Sequence, residues 1–163
     1  MGERPMLDDR IAAIDRIFRE LTWHGQKHAI HTLTRPEIGL TMPQMITLLA
    51  IHDSGSCRMG TLADATQQSG GTLTGIVDRL IDDGLVERVR SVNDRRVIEV
   101  TLTAEGQTRV GQVLDARHID MERILAQFDA GRLDQFEQQL NQFLQGVRGQ
   151  LPVEEDPARE IGA

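Results

Sequence analysis

The chain has 163 residues, 39% of them hydrophobic and 26% charged, and a formal net charge of −7 at pH 7. This length fits one domain with helical extensions. No apolar run approaches the roughly 18 residues of a membrane-spanning helix. The N-terminus MGERPMLDDR is charged, unlike a signal peptide, so we expect a soluble cytoplasmic protein without membrane contact. The single cysteine, Cys57, excludes an intrachain disulfide framework, and the acidic balance is unusual for a nucleic-acid binder.

The N-terminal segment has the periodicity of amphipathic helices. It predicts a first helix that Asp8 or Asp9 caps and that ends near Leu33, because the residue before Pro36 disfavours the helical conformation. A second helix is predicted over residues 42–52. The apolar stripe of the first helix is formed by Ile11, Ile14, Phe18 and Leu21.

Residues 61–103 predict a helix-turn-helix followed by a hairpin. A short helix precedes a polar turn over residues 67–71, and Ser69 can cap the next helix with its hydroxyl. Gly84 is expected to end that second helix in the left-handed conformation. The apolar face of the second helix consists of Leu73, Ile76, Val77 and Leu80. This order of elements predicts a winged helix-turn-helix, which can place one helix in the DNA major groove.

The predicted wing carries a local excess of positive charge. One strand starts at Leu85, the returning strand covers residues 97–102, and Asn93 lies near the tip with Asp94, Arg95 and Arg96. Residues 58–96 hold six arginines and six acids, so this segment is neutral and the acidic excess lies elsewhere. Residues 84–98 contain four arginines against two acids. Arginine suits bidentate contacts and narrow minor grooves.

After the hairpin, residues 103–106 open a long helix that breaks at residues 129–131. The last helix has apolar residues at alternating steps of three and four, the spacing of a coiled-coil seam. They are Leu133, Phe136, Leu140, Phe143 and Val147. The terminal helices exceed what a small winged domain needs to cover itself, so we predict a two-fold homodimer over a monomeric bundle.

The predicted fold is therefore mainly α with a small β-hairpin, a winged helix-turn-helix between N- and C-terminal dimerisation helices. The expected parts are a dimerisation helix over 1–35, the DNA-binding domain over 36–108, dimerisation helices over 109–151 and a flexible tail over 152–163.

The chain resembles the MarR family of transcriptional regulators over about residues 42–110. The resemblance is carried by residues 62–63, 72–74, 77–80, 84–88, 94–96 and 102–106, in matching order and spacing. It implies a homodimer that binds double-stranded DNA at palindromic operators, most simply as a repressor. It also implies a small-molecule or redox input that alters the spacing of the two DNA-binding heads.

The resemblance also implies DNA contacts position by position. In the family, the exposed N-terminal half of the second helix touches bases and phosphates, and the wing sends an arginine into the minor groove. Arg95 or Arg96 takes that place, with Arg96 favoured, and Asp94 is expected to hold a neighbouring arginine. Gly75 stands where many relatives have Arg or Lys, which removes a strong contact. The predicted DNA-binding residues are Ser69, Gly71, Thr72, Thr74, Gly75, Arg79, Arg95 and Arg96.

Four possibilities remain open for the signal that controls the regulator. An organic ligand, such as a phenolic or aromatic acid, fits a cavity that the family builds partly from the first helix, where Lys27 or a protonated histidine would pair the acid. The predicted pocket residues are Trp23, His24, Lys27, His28 and Met45. Metal ligation is a second input, with no site assigned; its candidates are His24, His28, His118 and Glu122. Cys57, in a predicted loop beside Arg58 that would lower its pKa, is a redox candidate. The last possibility is that the protein responds to no ligand or other signal.

The sequence is also compared with what two other classes of protein require. An enzyme would need a nucleophile with a base, a carboxylate pair in a cleft or a phosphate-binding loop, and the sequence offers none of these patterns. We therefore expect neither catalysis nor a cofactor. A winged-helix protein-interaction module without DNA binding is the other alternative, and it would not need arginines in the wing.

Overall fold

The computed structural model describes residues 3–91 and 94–150, with side chains from residue 6 onward. The chain divides into two compact units, residues 1–42 and 43–163. Asn93 of the predicted tip and the predicted tail over 152–163 lie outside the described residues. The helices are α1 (Glu3–Leu33), α2 (Met42–Ser54), α3 (Met59–Thr66), α4 (Gly70–Asp82), α5 (Ala104–Leu125) and α6 (Ala130–Gln150). The strands are β1 (Ser56–Cys57), β2 (Val86–Arg90) and β3 (Ile98–Leu102).

The first unit is built on α1. This helix begins upstream of Asp8 and Asp9, so the prediction that one of them caps it is wrong. Acidic side chains are favourable throughout the first turns of a helix, and their presence marks its start only approximately. The predicted end at Leu33 is confirmed. The N–H of Leu40 then donates to the carbonyl of Leu33 at 2.9 Å, which closes the turn after the helix.

In the second unit, α3 and α4 form the predicted helix-turn-helix. The Ser69 hydroxyl accepts from the backbone N–H of Thr72 at 3.3 Å, which confirms the predicted cap. Because a cap fixes the first helical residue directly after it, α4 starts at Gly70 and the predicted turn over 67–71 is two residues too long. Gln67 ends α3 in the left-handed conformation with φ 53°.

Gly84 separates α4 from β2 as predicted. Its φ of 71° is the left-handed conformation that glycine adopts without steric cost. The Gly84 N–H donates to the Ile81 carbonyl and the Leu85 N–H to the Leu80 carbonyl, both at 2.9 Å. This pair of bonds is the Schellman motif, and it satisfies helix-end carbonyls while turning the chain into β2.

The wing belongs to a three-stranded antiparallel sheet of order β1-β3-β2. Strands β2 and β3 pair from Val86 opposite Leu102 to Arg90 opposite Ile98. The predicted two-stranded hairpin is therefore incomplete, because β1 adds a third strand that pairs Cys57 with Val100. A two-residue strand is too short to show an alternating pattern, so its partner strand alone defines it.

The core of the second unit joins all of these elements. The fully buried apolar residues come from α2 through α5 and from the sheet, with α4 presenting its predicted face inward. They are Leu48, Ile51, Leu62, Leu73, Val77, Leu80, Leu85, Val86, Val100 and Val110.

The long helix α5 starts against the end of α4. The Thr103 hydroxyl accepts from the Gly106 N–H at 3.0 Å and donates to the Gly84 carbonyl at 2.7 Å. Gly106 is buried against the backbone of Leu85, so that a Cβ at this position would lie 2.0 Å from the Leu85 oxygen. The start of α5 therefore depends on a residue without a side chain.

The last helix, α6, begins at Ala130 rather than after Gly131, because the Asp129 carboxylate caps it by accepting from the Arg132 N–H at 2.9 Å. Its apolar seam is largely exposed, including Phe136, Leu140 and Phe143. The architecture as a whole is mainly helical with a small antiparallel sheet, which confirms the predicted winged helix-turn-helix class.

Candidate nucleic-acid interface

Helix α4 presents a face of small residues to solvent. Successive residues are about 100° apart around a helix, which puts Gly71 and Gly75 opposite the buried stripe, with Thr72 and Thr74 on either side. A Cβ built at either glycine would meet no atom within 4 Å. Arg79 follows Gly75 by one turn and is exposed, and its guanidinium group makes no ion pair or hydrogen bond to the described residues. This face is open enough for a base edge to approach the helix closely.

Several predicted contact residues also hold the helix start together. The Ser69 and Thr72 hydroxyl oxygens lie 2.9 Å apart. The Thr74 hydroxyl donates to the Gly70 carbonyl at 2.8 Å. The first turns of α4 are therefore ordered before any ligand arrives, and part of the polar capacity of these side chains is already used.

The wing turn is organised by Asp94. Its carboxylate accepts from the backbone N–H of Arg96 at 3.0 Å, and its carbonyl accepts from the N–H of Val97 at 2.9 Å. An aspartate that bonds two residues ahead stabilises a turn. Asp94 was expected to hold a neighbouring arginine, and its carboxylate does so by bonding the backbone N–H of Arg96. Arg95 and Arg96 are exposed, and their guanidinium groups make no ion pair within residues 3–91 and 94–150.

An ion pair that the sequence did not predict joins α4 to the wing. The Arg88 guanidinium lies 2.6 Å from the Asp78 carboxylate, with both side chains about half exposed. It neutralises Asp78, which lies on the exposed face of α4 three residues after Gly75, where a negative charge would repel phosphates. Asp78 and Arg88 are ten residues apart across the Gly84 turn, so neither helical nor strand spacing relates them. Opposite charges at these two positions were the only available signal.

The predicted ligand-pocket residues fall in both units. In α1, the Lys27 ammonium lies 6.0 Å from the centroid of the Trp23 ring, within cation–π range. Trp23 is 62% exposed, and His24 and His28 are exposed as well. Met45 belongs to the second unit, where it is buried in α2. The structure therefore brings Trp23 and Lys27 together.

The metal candidates lie on two helices. His118 and Glu122 are one turn apart in α5, with 3.4 Å between Nε2 and Oε1 and both side chains exposed. His24 and His28 have the same spacing in α1. Among the described residues, no group of three or more histidine, cysteine or acidic side chains is placed to hold a metal ion.

Cys57 lies in β1 rather than in a loop, and only 7% of it is exposed. Burial, and secondarily the negative charge of Glu99, raise the pKa of its thiol to about 11. The prediction that Arg58 lowers this pKa is wrong, because desolvation of a thiolate outweighs a cation that remains in solvent. At neutral pH the thiol is protonated, whereas the thiolate is the reactive species.

A capped helix with an open outer face, flanked by a hairpin that carries free arginines, defines a winged-helix protein of the DNA-binding type. Over the part of the chain that the structure covers, no helix is long and apolar enough to cross a membrane.

Comparison with known proteins agrees with this class. The model of the MarR family matches residues 38–97. The transcriptional regulator FarR of Neisseria gonorrhoeae is 30% identical over 105 residues, 61% of this chain and 72% of that protein. The chain belongs to the MarR family.

Other relatives have names that describe repression. The repressor MdtR of Bacillus subtilis is 32% identical over 88 residues, which cover 54% of this chain and 57% of MdtR. The homoprotocatechuate degradative operon repressor of Escherichia coli is 36% identical over 73 residues, which cover 45% of this chain and 49% of that protein. In both cases the match spans only about half of the relative.

Solved structures share the fold over most of the chain. A MarR family protein from Bacillus stearothermophilus has a TM-score of 0.77 at 26% identity, covering 90% of this chain and 98% of its own. A variant of S. aureus MepR, bound to an oligodeoxyribonucleotide, has a TM-score of 0.61 at 20% identity, covering 82% and 97%. The relatives and the fold are those of transcriptional regulators, in line with the expectation that this chain is not an enzyme.

Proposed function

We propose that this MarR-family regulator is a repressor that binds a palindromic operator as a homodimer and that a small aromatic acid releases it. The observation that carries the proposal is the combination, in one compact unit, of an open α4 face with an arginine-bearing wing. The α4 face enters the major groove, and Arg95 or Arg96 enters the adjacent minor groove, with Arg96 favoured.

The distribution of charge supports a division of labour between these two elements. On the outer face of α4, Gly71 and Gly75 carry no side chain and Asp78 is neutralised by Arg88. Phosphate contacts, which supply most of the salt-dependent affinity, therefore fall mainly to Arg79 and to exposed arginines of the wing, Arg95 and Arg96 among them. Two heads in one dimer compensate for the few cations in each, because the second head binds at high effective concentration.

Exposed apolar side chains support the homodimer. On α1 they include Ile11, Ile14 and Leu21, and on α6 they include Leu140 and Phe143, each about 45–62% exposed. Contiguous exposed apolar patches on a protein surface mark sites of association. Covering these side chains with the same surface of a second copy gives a two-fold assembly. Two reading helices then match half-sites one turn of DNA apart.

The dimer is tested by sedimentation of a charged variant of α6. Leu140→Glu places a carboxylate in the proposed seam and is expected to shift the protein to monomer at micromolar concentration. Gln138→Glu adds the same charge to an exposed position outside the seam, and we expect it to remain dimeric. A monomeric wild-type protein, or equal behaviour of both variants, would contradict the proposed seam.

DNA binding is tested by selection from a pool of random duplexes, followed by titration of the selected sequence. We expect an enriched palindrome that binds two protomers, and a single half-site that binds at least tenfold more weakly at the same salt concentration. If no sequence is enriched above non-specific binding at low salt, the proposal of a DNA-binding regulator is rejected in favour of a protein-interaction module.

The effector proposal rests on α1 and on one relative. Trp23 and Lys27 together offer an aromatic face and a cation, the two groups that a phenolic carboxylate requires. A relative is named as repressor of an operon that degrades homoprotocatechuate, which is such an acid. His24 and His28, on the same helix, complete the proposed site on α1.

The effector test is release of the selected duplex during titration with homoprotocatechuate. We expect release by this acid, weaker release by the matching alcohol without a carboxylate, and at least tenfold lower sensitivity in Lys27→Gln. Release by zinc or nickel ions, abolished in His118→Ala or His24→Ala, would favour a metal input instead. Release by peroxide that is lost in Cys57→Ser would favour the thiol.

A further inference from the structure

Thr74 projects from a patch of glycines on α4. Its neighbours on the helix surface include Gly70 and Gly71, at positions i−4 and i−3, and Gly75 follows it directly. A Cβ built at any of these three glycines would meet no atom within 4 Å. Thr74 itself is exposed. A base edge that approaches over these glycines therefore reaches the Thr74 side chain without obstruction, and Asp78, one turn further on, is paired with Arg88.

The hydroxyl of Thr74 donates its proton to a hydrogen bond within the helix. The Oγ1 atom lies 2.8 Å from the Gly70 carbonyl oxygen. A carbonyl can only accept, so the hydroxyl must donate in this bond. Thr72 differs, because its hydroxyl pairs with that of Ser69 and either oxygen can be the donor. Thr74 consequently presents its γ-methyl group and, while this bond is kept, a hydroxyl oxygen that is free only to accept.

These properties limit which base edges Thr74 can recognise. In the major groove, guanine offers two acceptors at O6 and N7, which require a donor, whereas thymine offers its C5-methyl group. A threonine methyl is one of the groups that contacts the thymine methyl. The flanking glycines let the helix backbone come close enough for such a short side chain to reach it.

We propose that Thr74 determines specificity by packing its γ-methyl group against the 5-methyl group of a thymine in each operator half-site. This inference rests on the proposed operator binding and states what the reading helix recognises there. It predicts a T·A pair at the base step that faces Thr74, and discrimination against a G·C or C·G pair at that step.

The expected effect follows from the size of the contact. Burial of one methyl-sized group contributes about 0.8 kcal/mol, which is roughly a fourfold change in Kd. A symmetric dimer reads the thymine twice, so loss of both methyl groups is expected to weaken binding about 15-fold if the two contacts are additive.

The test removes the methyl group from either side of the contact. Each thymine of the selected palindrome is replaced, together with its symmetry mate, by deoxyuridine, which differs only in lacking the 5-methyl group. Kd is measured for the wild type, Thr74→Ser and Thr74→Val. Serine keeps the hydroxyl and loses the methyl, and valine does the reverse. Thr108→Ser is the control, because Thr108 is an exposed helical threonine with the same back-bond, to the Ala104 carbonyl at 2.9 Å.

We expect that replacing the thymine at one position, with its symmetry mate, raises the Kd of the wild type about 15-fold. Thr74→Ser should bind the original duplex with about that deficit and be insensitive at this position, while Thr74→Val and Thr108→Ser keep the sensitivity. The proposal is overturned if no thymine is sensitive, or if Thr74→Ser remains as sensitive as the wild type. It is also overturned if Thr74→Val loses discrimination, since the hydroxyl oxygen then does the reading. Failure to select any palindrome is a separate result, which rejects operator binding itself.

Discussion

Replacement of Gly106 by alanine should destabilise the second unit far more than a helical glycine substitution normally does. In an unobstructed helix, Gly→Ala is favourable by about 1 kcal/mol. At Gly106 the added Cβ would lie 2.0 Å from the Leu85 oxygen and 3.0 Å from the Leu85 carbonyl carbon. Because both contacts are with backbone, no side-chain rotation can relieve them, and α5 must move away from the α4–β2 junction.

The cost of that movement can be worked from the contacts it breaks. Overpacking of a core costs about 1–3 kcal/mol. Displacement of α5 also strains the bonds of Thr103 to Leu85 and Gly84, at 3.1 and 2.7 Å. Each such bond contributes about 1 kcal/mol. After the helical gain is subtracted, Gly106→Ala should lower the free energy of unfolding by about 2–4 kcal/mol.

The assay is urea unfolding of wild type and variants at one protein concentration, since the proposed dimer would make stability depend on concentration. Gly111→Ala is the matched control, because it lies in the same helix and its added Cβ meets nothing within 4 Å. We expect this control to be as stable as the wild type or up to about 1 kcal/mol more stable. If Gly106→Ala proves as stable as Gly111→Ala, α5 does not pack against the Leu85 backbone as closely as described.

Four further predictions test local features. Gln67→Gly should be more stable to urea than Gln67→Val by about 1–2 kcal/mol, because the left-handed backbone there suits glycine and not a β-branched residue. A double-mutant cycle of Asp78→Asn and Arg88→Gln should give a coupling in unfolding of about 0.2–1 kcal/mol, the range for exposed pairs, and Asp78→Asn should not weaken DNA binding. The raised pKa of Cys57, about 11 against an ordinary 9.0, means that the unfolded chain loses the thiol proton first. Stability relative to Cys57→Ala should therefore hold below pH 9 and fall as the pH rises toward 11. Gly75→Arg should tighten DNA binding, with a salt dependence steeper by about 1 per added phosphate contact, and equal slopes would mean that this face does not meet DNA.

Local signals in the sequence predicted the elements that local chemistry specifies. Ser69 and Gly84 start and end α4 through bonds that span at most five positions, and the Thr103 hydroxyl starts α5 by accepting from the Gly106 N–H three residues on. Side chains of these types have few alternatives at such positions. The buried stripe of α4 was predictable for a similar reason, since its spacing depends only on the helical repeat.

The features that the sequence did not predict depend on residues distant along the chain. Strand β1 exists because Cys57 pairs with Val100, and this pairing buries the thiol and raises its pKa. The ion pair of Asp78 with Arg88 depends on the turn between α4 and β2, which brings the two side chains together. The requirement for glycine at position 106 comes from the Leu85 backbone. Each is a tertiary contact without a periodic signal in the sequence.

The central claim is that the open face of α4 and the wing arginines bind operator DNA. The most direct test is the salt dependence of Kd for the selected palindrome, compared between the wild type and Arg95→Ala/Arg96→Ala. Each lost phosphate contact lowers the slope of log K against log salt by about 0.9. With at least one wing contact in each of two heads, we predict that the double variant binds much more weakly and that its slope is smaller by about 2 or more. An unchanged slope and affinity would contradict the account, because the wing would then not contact DNA.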